Sequence, residues 1–140
     1  MEAGVRLGID RGADSFVILG GDGGRPDHTY ANYQLLWRLA DRGLFGVSVG
    51  SRYCVSVVPG GSSLTFSAGM TGGLALFALG ENADGICLSG AEYPLSGATL
   101  SPADSLGVSN SLTGEGGALT LDRGRLLVMW EHSENFFFPS

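Results

Sequence analysis

Lysine is absent from this 140-residue chain: all eight basic side chains are arginines, set against fourteen Asp and Glu, for a formal net charge of −6. Nucleic-acid binding draws its affinity from neutralising phosphates, so this balance argues against a nucleic-acid partner. Without lysine there is no Walker loop, and GxGxxG is missing as well, which removes the dinucleotide fingerprint. Cysteine is scarce. Cys54 and Cys87 lie far apart with no CxxC and no neighbouring histidine to complete a zinc site, and they read as buried, reduced thiols of a cytoplasmic protein. No apolar run approaches the ~20 residues that a membrane span requires. Nor does the amino terminus carry a basic-then-apolar signal pattern.

What the chain does have is apolar content, 44% of its residues, and 24 glycines. That is enough for a packed core punctuated by many tight turns. Two regimes of periodicity follow one another. From Glu2 to Val49 the pattern reads helix, strand, helix, strand, over Glu2–Arg11, Phe16–Leu19, Asp27–Arg42 and Gly46–Val49, an α/β alternation that implies parallel strands joined by a crossover helix. In the second helix Tyr30, Tyr33, Leu36, Trp37 and Ala40 form the expected buried face, Gln34, Arg38, Asp41 and Arg42 the wet one, and Gly43 the stop. Beyond Val49 short alternating runs take over: Tyr53–Val58, Ser63–Phe66, Leu74–Leu79, Gly85–Leu88, Gly117–Leu121 and Leu126–Trp130, with glycine-rich turns between them. The expected fold is α+β, a remnant of a parallel α/β domain (1–50) followed by an antiparallel β-sandwich or barrel (51–140), with the boundary near Gly50-Ser51-Arg52.

The stretch 20–36, GGDGGRPDHTYANYQLL, joins a glycine turn to the acidic start of a helix directly after the strand Phe16–Leu19. Glycines let backbone approach an anion, and a helix start offers unpaired N–H groups with partial positive charge. Pro26 suits the first helical turn, and His28 and Asn32 share a face. A carboxylate, Asp27, beside such a phosphate cradle makes chemical sense when a divalent cation bridges them. The plain alternative is a strand-to-helix connection whose Asp27 merely complements the helix dipole, with Arg25 an exposed turn residue and His28 a packing residue. A second distinctive stretch, 90–110, reads GAEYPLSGATLSPADSLGVSN, a turn-rich segment longer than a hairpin needs.

Together the two stretches resemble the thiamine pyrophosphokinase family. The first carries its pattern at Gly23, Gly24, Arg25, Pro26, Asp27, His28, then Ala31, Asn32, Leu35 and Leu36; the second carries Tyr93-Pro94-Leu95 and Gly107-Val108-Ser109-Asn110. The resemblance implies transfer of a pyrophosphoryl group from ATP to the hydroxyl of thiamine, with Mg²⁺ as cofactor and a homodimer in which substrate lies between the α/β part of one subunit and the β part of the other. It further implies that Asp27 serves Mg²⁺ or the attacking hydroxyl and Arg25 a phosphate. Gly23 and Gly24 would allow close backbone approach to ATP, with His28 and Asn32 in support. For thiamine, Tyr93 would offer an aromatic face, and Ser109 and Asn110 hydrogen bonds to the aminopyrimidine. On the residues alone, Tyr93 reads equally well as a strand-end aromatic on the core, and Ser109-Asn110 as a capping turn.

The family's early Gly-Asp-Xaa-Asp and later Thr-Asp clusters are not in this sequence, which therefore reads as the carboxy-terminal part of such an enzyme, expected to be inactive alone. A non-catalytic thiamine-binding module or a dimerisation module are the competing expectations. As a fragment it should expose Phe16, Ile18 and Val47 or leave an open sheet edge, and the Phe136–Phe138 tail should add apolar surface.

Overall fold

The computed structural model describes residues 2–19, 24–104 and 109–132. Helices α1 (Glu2–Asp10) and α2 (Pro26–Asp41) alternate with strands β1 (Ser15–Leu19) and β2 (Phe45–Val49). Then follow β3 (Tyr53–Pro59), β4 (Ser63–Phe66), β5 (Thr71–Ala78), β6 (Ala83–Leu88), β7 (Leu95–Leu100), β8 (Asn110–Thr113), β9 (Gly117–Thr120) and β10 (Arg125–Glu131). β1 and β2 pair in parallel, Ser15 opposite Phe45 and Leu19 opposite Val49, as the crossover helix requires. β2 then pairs antiparallel with β3, so one six-stranded sheet runs β1-β2-β3-β10-β5-β8; the other sheet has the order β4-β9-β6-β7. The α+β expectation, a short parallel unit leading into an antiparallel sandwich, describes this architecture.

Alternation along the central strands builds two cores on the two faces of the larger sheet. Leu126, Val128 and Trp130 of β10, with Cys54 and Val58 of β3, face the four-stranded sheet and meet Phe66, Ile86, Leu88 and Leu119. Leu127 of β10, with Val55 and Val57 of β3, faces the helices and meets Val5, Ile18, Leu35, Leu36, Leu39 and Ala40. The layers are therefore helices, sheet, sheet. Gly46 lets α2 lie close on β2, since a Cβ there would stand 2.7 Å from Leu39 Cδ1 and 3.0 Å from Leu36 Cδ2. The end of α2 is a Schellman motif: Gly43, at φ +71°, donates to the Ala40 carbonyl, and Leu44 N–H reaches the Leu39 carbonyl, each at 2.9 Å. Arg125 stitches the same end to β10, with its Nε 2.5 Å from Asp41 Oδ1 and its guanidinium 5.3 Å from the Trp37 ring centre.

Several expectations need correction. The buried stripe of α2 is Leu35, Leu36, Leu39 and Ala40, and Tyr30 is 63% exposed. The helix touches the sheet around Gly46, and Tyr30 lies more than a turn upstream of that contact. Ile18 and Val47 are buried under α2 and the sandwich, and Phe16 packs partly buried against the helix-side core. Val17 and Leu19 are the exposed apolar residues of β1, which forms one edge of the sheet. The segment 90–110 holds the strand β7, which closes the smaller sheet at one edge. The Phe136–Phe138 tail lies outside the described residues.

The thiols also divide differently from the expected pair of buried groups. Cys54 is fully buried and Cys87 is exposed, its Sγ accepting the Gly97 N–H at 3.4 Å. Burial pushes the Cys54 thiol up to about 12. A thiol reagent should therefore titrate one cysteine in the native protein and both in denaturant. The unfolded chain releases the Cys54 proton at lower pH than the folded one. Stability carried by this group is thus complete below about pH 8.5 and lost as pH rises toward the folded value. Urea midpoints compared for wild type and Cys54→Ala should show a steeper alkaline fall in wild type, and parallel curves would contradict this assignment.

Candidate functional site

The sequence-predicted residues fall in two places. The first is the start of α2. Arg25 occupies the N-cap position in an extended conformation (φ −109°, ψ 111°) with no side-chain cap, and Pro26 opens the helix. Arg25 Nη2 lies 2.8 Å from Asp27 Oδ2, while Asp27 Oδ1 accepts the His28 backbone N–H at 2.9 Å. The guanidinium first, and the backbone amide second, hold the Asp27 carboxyl below the usual carboxylate range. Both side chains are exposed, so this pair adds little to stability. A carboxylate and a guanidinium side by side at an exposed helix start are available to a polyanion and its counter-cation. Gly24 is exposed with open space around its Cα, Asn32 is half-buried on α2, and Gly23 lies outside the described residues.

The second place is the far edge of the same sheet. After β6 the chain crosses over and runs antiparallel along β8: Thr113 N–H donates to the Gly90 carbonyl at 3.0 Å, Ala91 bridges Leu112, and Glu92 N–H donates to the Ser111 carbonyl at 2.8 Å. The next rung is made by a side chain. Asn110 Oδ1 accepts the Tyr93 N–H at 3.0 Å, and Asn110 Nδ2 donates to the Tyr93 carbonyl at 2.8 Å. The Tyr93 side chain is 60% exposed, so it is not a core aromatic. Ser109, exposed beside it, has φ +69°, a left-handed value that no other described non-glycine residue adopts. Gly107 and Val108 lie outside the described residues.

The two places do not meet within one chain. α2 starts after β1, at one edge of the sheet, and Tyr93 is fastened to β8, at the other. Five strand spacings of about 4.8 Å separate those edges, roughly 24 Å.

Sequence reasoning missed a polar cluster at the sheet end where β2 stops. Tyr53 Oη donates to Glu131 Oε1 at 3.0 Å, Arg52 Nη2 lies 3.9 Å from the same oxygen, and His132 Nε2 is 2.7 Å from the Gly50 carbonyl. The Glu131 carboxylate as acceptor raises the Tyr53 phenol. These residues come together through the Tyr53–Glu131 register, 78 positions apart, and nothing local in the sequence signals it.

Residues 61–126 match the family model described as Thiamin pyrophosphokinase, vitamin B1 binding domain. Over this segment the chain is similar to the thiamine pyrophosphokinases. The matched segment contains Tyr93, Ser109 and Asn110, whereas the α2 start lies outside it. Among solved structures, thiamine pyrophosphokinase from Bacillus subtilis superposes with a TM-score of 0.84 at 20% identity, over 94% of this chain and 61% of that one. The enzyme from Geobacillus thermodenitrificans gives 0.80 at 24% identity, over 98% and 63%. Thiamin pyrophosphokinase from Candida albicans gives 0.73 at 15%, over 94% and 51%. At these identities the likeness establishes the fold, and the chain spans about three fifths of the length of the two bacterial structures. A sequence search of curated proteins finds no match. Among the described residues no helix is long and apolar enough to cross a membrane.

Proposed function

We propose that this chain is the thiamine-binding part of a thiamine pyrophosphokinase, which moves a pyrophosphoryl group from ATP to the thiamine hydroxyl. The observation that carries the reading is the matched segment at 61–126, with Tyr93 exposed and fastened in it. Thiamine is flat and cationic, so the exposed Tyr93 ring supplies a stacking and cation–π face and the Ser109 hydroxyl a polar partner. Functionally the chain divides near Gly50–Arg52: residues 1–50 handle phosphate and metal, and 51–140 handle thiamine.

At the α2 start, Arg25 binds a phosphate of ATP and orients it, Gly23 and Gly24 give the backbone room, and His28 and Asn32 support the helix end. Asp27 fits Mg²⁺ as a single ionised carboxylate, since this ion is commonly held by one or two carboxylates together with substrate phosphates. No group of three or more His, Cys, Asp or Glu among the described residues gathers there to add ligands. When bound, Mg²⁺ neutralises charge on the phosphates. Asp27, kept ionised by Arg25, serves as a charge for Mg²⁺ or as a hydrogen-bond acceptor that orients the attacking hydroxyl. With one carboxylate among the described residues at this helix start, the 140-residue chain is expected to form negligible AMP from ATP and thiamine, which a coupled AMP assay checks.

The ~24 Å between the two places favours a homodimer in which the α2 start of one chain faces Tyr93 of its partner. Sedimentation should show a dimer with a melting temperature that rises with concentration. A monomer at all concentrations would contradict the shared site.

Calorimetric titration of thiamine into the chain tests the reading. Saturable binding is expected, and Tyr93→Ala should weaken it by about 1–3 kcal/mol, the worth of one well-made contact. Equal affinity for wild type and Tyr93→Ala would remove Tyr93 from the site.

A further inference from the structure

We infer that Asn110 is a positioning residue that acts on thiamine through Tyr93, locking the Tyr93 main chain so that its ring stands ready at the sheet edge. The inference rests on the reading above that Tyr93 meets thiamine. Its physical basis is the accounting of one side-chain amide. Asn110 Oδ1 accepts two backbone N–H groups, Tyr93 at 3.0 Å and Ser111 at 2.9 Å, which fills both of its lone pairs. Asn110 Nδ2 donates to the Tyr93 carbonyl at 2.8 Å. An aminopyrimidine seeking an acceptor from this side chain would have to displace a backbone N–H, so the amide carbonyl serves the protein rather than the ligand.

The location explains why a side chain is used. Segment 90–93 zips onto β8 through backbone bonds at Gly90 and Glu92, and Ala91, 8% exposed, anchors its middle. At Tyr93 the ladder ends, and Pro94, which has no N–H, follows. Without the Asn110 amide both main-chain groups of Tyr93 would turn to water, and the ring would lose its fixed base. With it, an aromatic 60% exposed is held by a two-bond clamp, and less ordering entropy remains to be lost when a ligand stacks on it. The left-handed Ser109, φ +69°, directly precedes the clamp. Strain of this kind persists where surrounding contacts over-determine the backbone.

The experiment is a double-mutant cycle on the full 140-residue chain, with thiamine as the probe. Asn110→Ala and Tyr93→Ala are each expected to weaken thiamine about fivefold or more, and the double variant to bind no more weakly than Tyr93→Ala alone. A double variant that loses the product of the two single effects would overturn the inference, because Asn110 would then act on the ligand independently of Tyr93. Amide hydrogen exchange supplies a readout separate from binding. In Asn110→Ala, Tyr93 N–H should lose protection while Thr113 N–H keeps it; unchanged protection at Tyr93 would overturn the clamp itself. Asn110→Asp, which keeps the acceptor for both N–H groups and loses the donor, should fall between wild type and alanine, and it serves if the alanine variant does not fold. Should wild type bind thiamine while Tyr93→Ala alone leaves the affinity unchanged, the site reading fails, and with it this inference; Tyr93 exchange in Asn110→Ala would then report on the clamp alone.

Discussion

Replacing Trp130 with alanine is expected to lower the unfolding free energy by about 3–5 kcal/mol, the range for deleting a large buried aromatic. Trp130 is fully buried in the middle of the sandwich, paired on β10 with Cys54 on one side and Leu74 on the other. Its ring meets Phe66 of the facing sheet edge-on, with centroids 6.2 Å apart. Alanine would leave a cavity lined by two sheets that cannot both move in to fill it. A domain of this size holds only about 5–15 kcal/mol in total, so the urea midpoint should drop steeply. Trp130→Phe should cost much less, because it keeps an aromatic partner for Phe66 and removes an indole N–H that has no hydrogen-bond partner among the described residues. A midpoint for Trp130→Ala close to wild type would mean that the sandwich core is not built around this side chain.

Gly90→Ala is expected to damage stability and thiamine binding together. Gly90 has φ +74°, and a Cβ placed on it would lie 2.3 Å from the Gly116 carbonyl oxygen, a backbone atom that cannot swing aside. Left-handed strain of about 1–3 kcal/mol and overpacking of similar size together predict a loss of roughly 2–6 kcal/mol. Relief of the clash would lift segment 90–93 from β8, and the Tyr93 clamp with it. Denaturation and thiamine titration of the same variant check both halves. Wild-type stability in Gly90→Ala would show that the segment does not lie against Gly116.

The parts of this structure legible in the sequence are those governed by local rules. Pro26 and Gly43 mark the ends of α2 because their backbone requirements are intrinsic, and the runs Tyr53–Val58 and Leu126–Trp130 announce β3 and β10 because a sandwich buries most of each strand. β7 escaped notice for the converse reason. It is an edge strand in which only Leu100 is buried, and Ser96 and Gly97, following Pro94, give it the composition of a turn. The inward stripe of α2 was misplaced because periodicity gives the spacing of a face, while the close approach at Gly46 decides where along the helix that face meets the sheet. The candidate site shows the same division. The motif residues Tyr93, Ser109 and Asn110 stand out in the sequence, but that Asn110 spends its amide on the Tyr93 backbone depends on a chain crossing between sheets that no local pattern encodes.

The central claim is that thiamine binds at the β8 edge beside Tyr93. The most direct measurement is a thiamine titration followed by the backbone amide resonances of the isotopically labelled chain. Saturable shifts are expected at Glu92 and Tyr93 and at Ser109 to Ser111, with little change at Gly60 and Gly124 at the far end of the sandwich. A folded spectrum that stays unchanged to millimolar thiamine, or shifts confined to residues away from the β8 edge, would contradict the account.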